Sequence, residues 1–250
     1  MQEAIVSIRG LTKRFGDFEA VSGIDLQVYP GEMLALLGPN GAGKTTTIRM
    51  LMGILQPSAG SASLNGLNCF SDRAEVKRHV GYLPDEPIFY DYLRGREIIN
   101  FVGEMHGLAP AEIVRRAGEL MERLDLAEAA EEYAVNYSRG MKKKLALTCA
   151  MLHDPHVLIM DEPTNGLDPF ATRTVHELIR EKAAAGKSVF FSTHLLEQAE
   201  RLCDRVAIIY KGALAAVGHL DQLRASLAEG GSLEEVFFAV AARADEGKGA

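Results

Sequence analysis

Residues 33–51 read MLALLGPNGAGKTTTIRML, and this stretch decides the fold. An apolar run, Met33–Leu37, breaks at Gly38 and resumes in a helix-like pattern after Gly43. Between them, Gly38, Pro39, Asn40, Gly41, Ala42, Gly43, Lys44 and Thr45 satisfy the phosphate-loop pattern G-x-x-x-x-G-K-S/T in full, after a strand and before a helix. The spacing has a physical reason. Glycines let the backbone approach a phosphate and aim successive N–H groups at it. The helix that opens near Lys44 adds the positive end of its dipole. Lys44 can reach the β- and γ-phosphates, and Thr45 offers a hydroxyl to Mg²⁺.

Such a loop implies a nucleoside triphosphate without saying what is done with it. HVLIMDEP (residues 156–163) supplies the next part. Val157–Met160 reads as a buried strand that delivers two carboxylates at its end. Asp161 can hold a metal through water, and Glu162 can polarise an attacking water. VFFSTH (residues 189–194) repeats the design, with His194 at a strand tip where it could contact the γ-phosphate and the attacking water.

Outward from these motifs the chain reads as α/β. AIVSI, IDLQVY, MLALLG, SASL, VGYL, VLIM, SVFFS and VAIIY are short apolar runs bounded by turn residues, several followed by helix-like stretches. Near the amino terminus, FEAVSGIDLQVYPGE and GSASLNGLN carry alternation and turns, and predict a small antiparallel lobe. From about residue 86 to 153 the pattern is helical, which predicts a helical lobe inserted between sheet strands. One domain is expected over 3–240, with the core formed by 3–85 and 154–225 and a flexible tail at 241–250. At 250 residues, 47% of them hydrophobic, a core of ordinary size can form. Three distant cysteines without a CxxC point away from a disulfide framework or a zinc site. No apolar run approaches the roughly 20 residues that span a bilayer, and MQEAIVSIRG does not read as a signal peptide.

NYSRGMKKKLAL (residues 136–147) concentrates positive charge, Arg139 to Lys144, in a chain of net charge −7. General nucleic-acid binding favours a broad positive footprint, so no nucleic-acid partner is expected. A solvated helix face and half of a phosphate site remain as readings. Ser138 is a good N-cap residue for the helix that follows, and a helix N-terminus attracts phosphate.

SRGMKKKLALTCAML ahead of HDPHVLIMDEPTNGLDP, downstream of the phosphate loop, resembles the signature motif, Walker B strand and D-loop of ABC transporter ATP-binding subunits. The likeness runs from about Ile5 to Val240. It implies a RecA-like P-loop NTPase core with an amino-terminal antiparallel β subdomain and an inserted α-helical subdomain. It also implies an ATPase that uses Mg²⁺ with ATP. Residue by residue, the resemblance puts Phe15 on the adenine ring and the loop Gly38–Thr45, with Thr46, on the phosphates. It makes Glu162 and His194 the catalytic pair and assigns Mg²⁺ to Thr45 and Asp161. Asp168 falls in the D-loop. Ser138, Arg139, Gly140 and Met141 form the signature that meets ATP bound to a partner subunit.

The chain departs from the family pattern in three places. Asp85 stands where the Q-loop glutamine belongs, and its carboxylate can still ligate Mg²⁺ or bind its water. Arg139 and Met141 replace the usual first Gly and the Gln of the signature. The family packs two such subunits head to tail, as a homodimer or a heterodimer with a related subunit. That places the chain at the cytoplasmic face of a membrane beside a separate permease. LPDEPIFYDYLRGREIINFV and SLEEVFFAV resemble motors of ABC-2-type permeases, which are mostly exporters. On this reading Lys142–Lys144 solvate an exposed face or steer ATP. The competing reading, a soluble relative acting on nucleic acid or ribosomes, lacks the second nucleotide module, coiled-coil insertion or zinc cysteines that such proteins carry.

Overall fold

The computed structural model describes residues 3–203, 205–227 and 231–246. Among these, ten strands form two sheets. β1 (Val6–Phe15), β2 (Phe18–Val28), β4 (Ala59–Leu64) and β5 (Leu67–Asn68) make an antiparallel sheet in the order β2-β1-β4-β5. The larger sheet contains β3 (Met33–Leu37), β6 (Val80–Leu83), β7 (Val157–Asp161), β8 (Ser188–Thr193), β9 (Arg205–Tyr210) and β10 (Ala213–His219). Its order is β10-β9-β3-β8-β7-β6, parallel except for the β9–β10 hairpin.

Alternation along the central strands sorts the core into two layers. Leu34, Leu36, Ile159 and Phe190 face the antiparallel sheet and α1 (Lys44–Leu51), where Ile8, Leu11, Ile24, Ile48 and Leu51 meet them. Ala35, Leu37, Leu158, Met160 and Phe191 face the opposite way, onto α6 (Pro169–Ala184) through Val175, Leu178 and Ile179. Both faces of β7 and β8 are covered, and every residue of these two strands is buried. Their unbroken apolar sequences follow from that.

The helical segment holds α3 (Gly95–Met105), α4 (Pro110–Arg123) and α5 (Arg139–Leu152) around a small core of its own. Ile113, Ala117 and Met121 on α4, spaced by four, meet Ile98 and Ile99 on α3. α5 is shared between lobes: Leu145 and Leu152 face this small core, while Ala146, Leu147 and Met151 pack on the large sheet. Further helices are α2 (Arg73–His79), α7 (Leu196–Leu202), α8 (Leu220–Leu227) and α9 (Leu233–Glu246). Leu233, Val236 and Val240 of α9 are buried against the second layer. α9 continues to Glu246, beyond the Val240 boundary expected from the sequence. Residues 247–250 of the expected tail lie outside the described residues.

Strand β10 carries no strand signal in its own sequence, ALAAVGH. It exists because Lys211 and Gly212, both at positive φ (47° and 83°), close a two-residue turn of the kind that matches strand twist.

Candidate functional site

β3, the middle strand, ends in the phosphate loop, with β8 on one side and β9 on the other. Ligands of open α/β sheets bind beyond such carboxyl ends. Gly38 is fixed there by a bond from its N–H to the Thr193 carbonyl (3.2 Å). A Cβ at Gly38 would lie 2.3 Å from the Ile209 carbonyl oxygen, so no larger residue fits. Gly43 caps α1 at φ 106°, and no side chain caps that helix end. The leading N–H groups of α1 therefore have no side-chain acceptor. Gly212 N–H donates to Ala42 O (3.1 Å) and Gly212 O accepts from Ser22 N–H (2.8 Å), so the β9–β10 turn ties the loop to the antiparallel sheet.

Lys44 is 6% exposed. Its Nζ donates to Gly38 O (2.8 Å) and Pro39 O (3.2 Å), and lies 3.3 Å from Glu162 Oε1. Glu162, just past β7, holds a left-handed backbone at φ 47°, a conformation that costs about 1–3 kcal/mol in a non-glycine residue. Its N–H donates to the Ser192 carbonyl (3.2 Å) and hydroxyl (3.1 Å). Its Oε2 lies 3.0 Å from His194 Nδ1. A single carboxylate thus bridges the phosphate-loop lysine and the histidine at the tip of β8.

Asp161 is buried and accepts hydrogen bonds from the Ser192 and Thr45 hydroxyls. Burial pushes its carboxyl above the ordinary value, the charges of Asp85 and Glu162 add to this, and the two hydroxyls oppose it. A hydroxyl and a buried carboxylate are hard oxygen donors, a set whose chemistry suits Mg²⁺.

Asp85 lies in the loop after β6. Its Oδ1 accepts from Asn165 Nδ2 (3.0 Å) and sits 3.8 Å from Lys143 Nζ. The expectation that Lys142–Lys144 solvate an exposed face fails at Lys143, which is 1% exposed. Its ammonium donates to the carbonyls of Pro84 (3.2 Å), Asp85 (2.9 Å) and Asp161 (3.2 Å). Burial lowers its pKa to about 8, against the opposing pull of Asp85, Asp161 and Glu162. The run misleads because three lysines in a row look like a solvated face. The available signal was position: Lys143 stands four residues before Leu147 and eight before Met151, on the inner side of α5.

The signature segment lies apart. Ser138 caps α5, its Oγ accepting from Met141 N–H (3.2 Å). Arg139 Nη2 reaches Glu86 (3.9 Å). Gly140 faces the Gly166 carbonyl, 3.4 Å from where a Cβ would stand. Among the described residues, Ser138–Met141 make no hydrogen bond or ion pair to the phosphate loop, Asp161, Glu162 or His194. Asp168 caps α6, accepting from the N–H groups of Phe170 and Ala171 (both 2.9 Å), and the next turn leaves Phe170 86% exposed. Phe15, at the β1–β2 turn, is half exposed with Lys13 Nζ 5.1 Å above its ring. Sequence reasoning did not assign roles to Ser192, Asn165 or Gly212; each is a small polar or turn residue whose partner lies far along the chain.

A phosphate loop facing buried carboxylates across the carboxyl ends of a parallel sheet defines a P-loop nucleoside triphosphatase. Comparison narrows this. The ABC transporter family model matches residues 21–165. YxlF, an uncharacterized ABC transporter ATP-binding protein of Bacillus subtilis, is 40% identical over 220 residues, 88% of this chain and 72% of its own length. The daunorubicin resistance ATP-binding protein DrrA3 of Streptomyces coeruleorubidus is 36% identical over 225 residues, 90% of this chain and 71% of its own. A solved ATP-binding subunit of an ABC transporter superposes with a TM-score of 0.89 at 33% identity, over 94% of this chain and 99% of that one. The chain belongs to the ABC transporter family as an ATP-binding subunit, and it is an ATPase.

Proposed function

We propose that the chain is the motor of an exporter: two copies, or one copy and a related subunit, sandwich two ATP–Mg²⁺ and drive a separate ABC-2-type permease from the cytoplasmic face. The convergence of Lys44, Asp161, Glu162 and His194, with the signature turn Ser138–Met141 out of contact with them, carries this reading. Half of a nucleotide site is assembled within the chain, and the capped end of α5 is free to serve another.

In this scheme the phosphates replace the Gly38 and Pro39 carbonyls as partners of Lys44, and Glu162 is released from it. Thr45 and Asp161 would hold Mg²⁺, which would neutralise charge on the β- and γ-phosphates. Asp85, with Oδ1 already engaged by Asn165, would offer its other oxygen to the metal or its water. Glu162 accepts the proton of the attacking water while His194 fixes its carboxylate. Phe15 stacks on adenine, Asp168 and its exposed neighbour Phe170 meet the partner subunit, and Ser138 and Gly140 contact its γ-phosphate. Exposed apolar side chains on the helical lobe and the loop before it, Ile88, Tyr90, Tyr92, Phe101 and Met105, support docking to a membrane subunit. No helix among the described residues is long and apolar enough to cross a membrane, and this reading gives the crossing to the permease. The drug-resistance relative supports export.

Glu162→Gln tests the chemistry. It keeps the shape and removes the base, so ATP binding persists, turnover falls on the order of 10²-fold or more, and Mg²⁺-ATP accumulates a dimer on size-exclusion chromatography. Near-normal turnover would contradict the role given to Glu162.

A further inference from the structure

Among the described residues Lys143 is one of the largest fully buried side chains, and it is a charged one. Its position explains why. β6 and β7 pair in parallel from Val80–Val157 to Leu83–Met160. Beyond Leu83 and Met160 the ladder stops, and the carbonyls of Pro84, Asp85 and Asp161 need donors. The ammonium has three N–H donors and three such carbonyls within 3.2 Å. It therefore fastens the two strand ends together where their own pairing runs out. The side chain comes from α5, five residues after the Ser138 cap. Three elements meet at one atom: the helix that begins with the signature, the loop that carries Asp85, and the residue that carries the buried Asp161 carboxylate.

The charge must also be matched. Asp85 Oδ1, at 3.8 Å, is the nearest carboxylate, and Asn165 holds it in place from the segment that leads to Asp168. A neutral residue at position 85 would leave a buried ammonium with less compensation. A neutral residue at 143 would leave Asp85 near Asp161 without its own cation, since Lys44 pairs with Glu162.

We propose that Lys143 and Asp85 act as one charge-paired unit that couples the signature helix to the metal–nucleotide site, with Lys143 as a positioning residue for Asp85 and Asp161. This rests on the reading of that site as the place of Mg²⁺-ATP hydrolysis. It assigns Asp85 a reason for being an acid rather than an amide: the partner it faces is a lysine. The two positions must then change together.

The test compares the full chain with Asp85→Gln, Lys143→Gln and the double variant. Three quantities are read for each: kcat with Mg²⁺-ATP, the Mg²⁺ concentration giving half-maximal rate, and the affinity for a fluorescent ATP analogue without Mg²⁺. Each single change breaks a charge pair, whereas the double change replaces it by neutral groups that can still bond the carbonyls. Each single variant is expected to lose about tenfold or more in kcat, the scale of a misplaced catalytic group, and to need more Mg²⁺. Metal-free nucleotide affinity stays unchanged, which also reports that the phosphate loop is folded. The double variant recovers most of the rate and needs less Mg²⁺ than either single variant. Losses that simply multiply in the double variant, or a Lys143→Gln protein with wild-type kcat and Mg²⁺ dependence, would overturn the pairing. If Lys143→Gln does not fold, Lys143→Asn, which keeps two N–H donors, serves in its place alone and with Asp85→Gln, and absence of recovery in that pair counts against the proposal. A wild-type chain without Mg²⁺-dependent hydrolysis would instead refute the reading of the site itself.

Discussion

Lys44 and Lys143 are both buried, both face the acidic ends of the same sheet, and hold opposite kinds of position. Lys44 spends its donors on Gly38 and Pro39, six and five residues away in its own loop, and on Glu162. These are partners it can release when phosphate arrives. Lys143 spends its donors on carbonyls 59, 58 and 18 residues away, at the ends of two different strands. Releasing them would open the seam between β6 and β7. Burial of a cation therefore does not distinguish a ligand-binding lysine from a structural one; the sequence distance to its partners does. The two helix ends also differ: α1 begins at an uncapped glycine, whereas α5 begins at a serine whose side chain caps it.

The contrast is broken or sharpened by removing each cation in turn. Lys44→Ala has the largest effect on function. Loss of the phosphate-loop charge should lower ATP hydrolysis by on the order of 10²-fold or more, measured as phosphate release. The thermal midpoint in the absence of nucleotide should stay near wild type. Lys143→Ala adds a loss of stability to its loss of rate. Leaving three carbonyls and a carboxylate without their cation should cost about 3 kcal/mol and roughly 5–10 °C in midpoint by differential scanning calorimetry. Equal midpoints for the two variants would abolish the distinction between them. Arg123 supplies the exposed control. It forms a two-pronged ion pair with Glu181 (2.6 and 2.8 Å), linking α4 of the helical lobe to α6 of the core. Both partners are substantially solvated, so Arg123→Ala should cost only about 0.2–1 kcal/mol and leave hydrolysis unchanged.

What was legible in the sequence was local. The phosphate loop is contiguous, so its eight residues carry their own spacing. β3, β7, β8 and β9 are covered on both faces or nearly so, and their unbroken apolar runs announce it. What was hidden depends on partners brought in from elsewhere. β10 is an alanine-rich edge strand made by the Lys211–Gly212 turn, and that same turn holds Ala42 of the phosphate loop. Lys143 looks like one of three interchangeable surface lysines until folding brings the ends of β6 and β7 to its ammonium. Asp85 reads as a departure from the family pattern, and only the lysine 58 residues away makes the acid intelligible.

The central claim is that the basic stretch at 139–144 opens the second half of a nucleotide site completed by another chain. Mixing Lys44→Ala protein with Ser138→Arg protein tests it most directly. On this account each homodimer has two damaged sites, because every site would take its phosphate loop from one chain and its signature from the other. A mixed dimer has one site damaged twice and one intact. With random exchange and independent sites, the equimolar mixture should reach about a quarter of the wild-type ATPase rate, well above the sum of the separate mutants. Heterodimer formation is followed in parallel by energy transfer between labelled chains. Heterodimers that form in ATP yet hydrolyse no faster than the separate mutants would contradict the account.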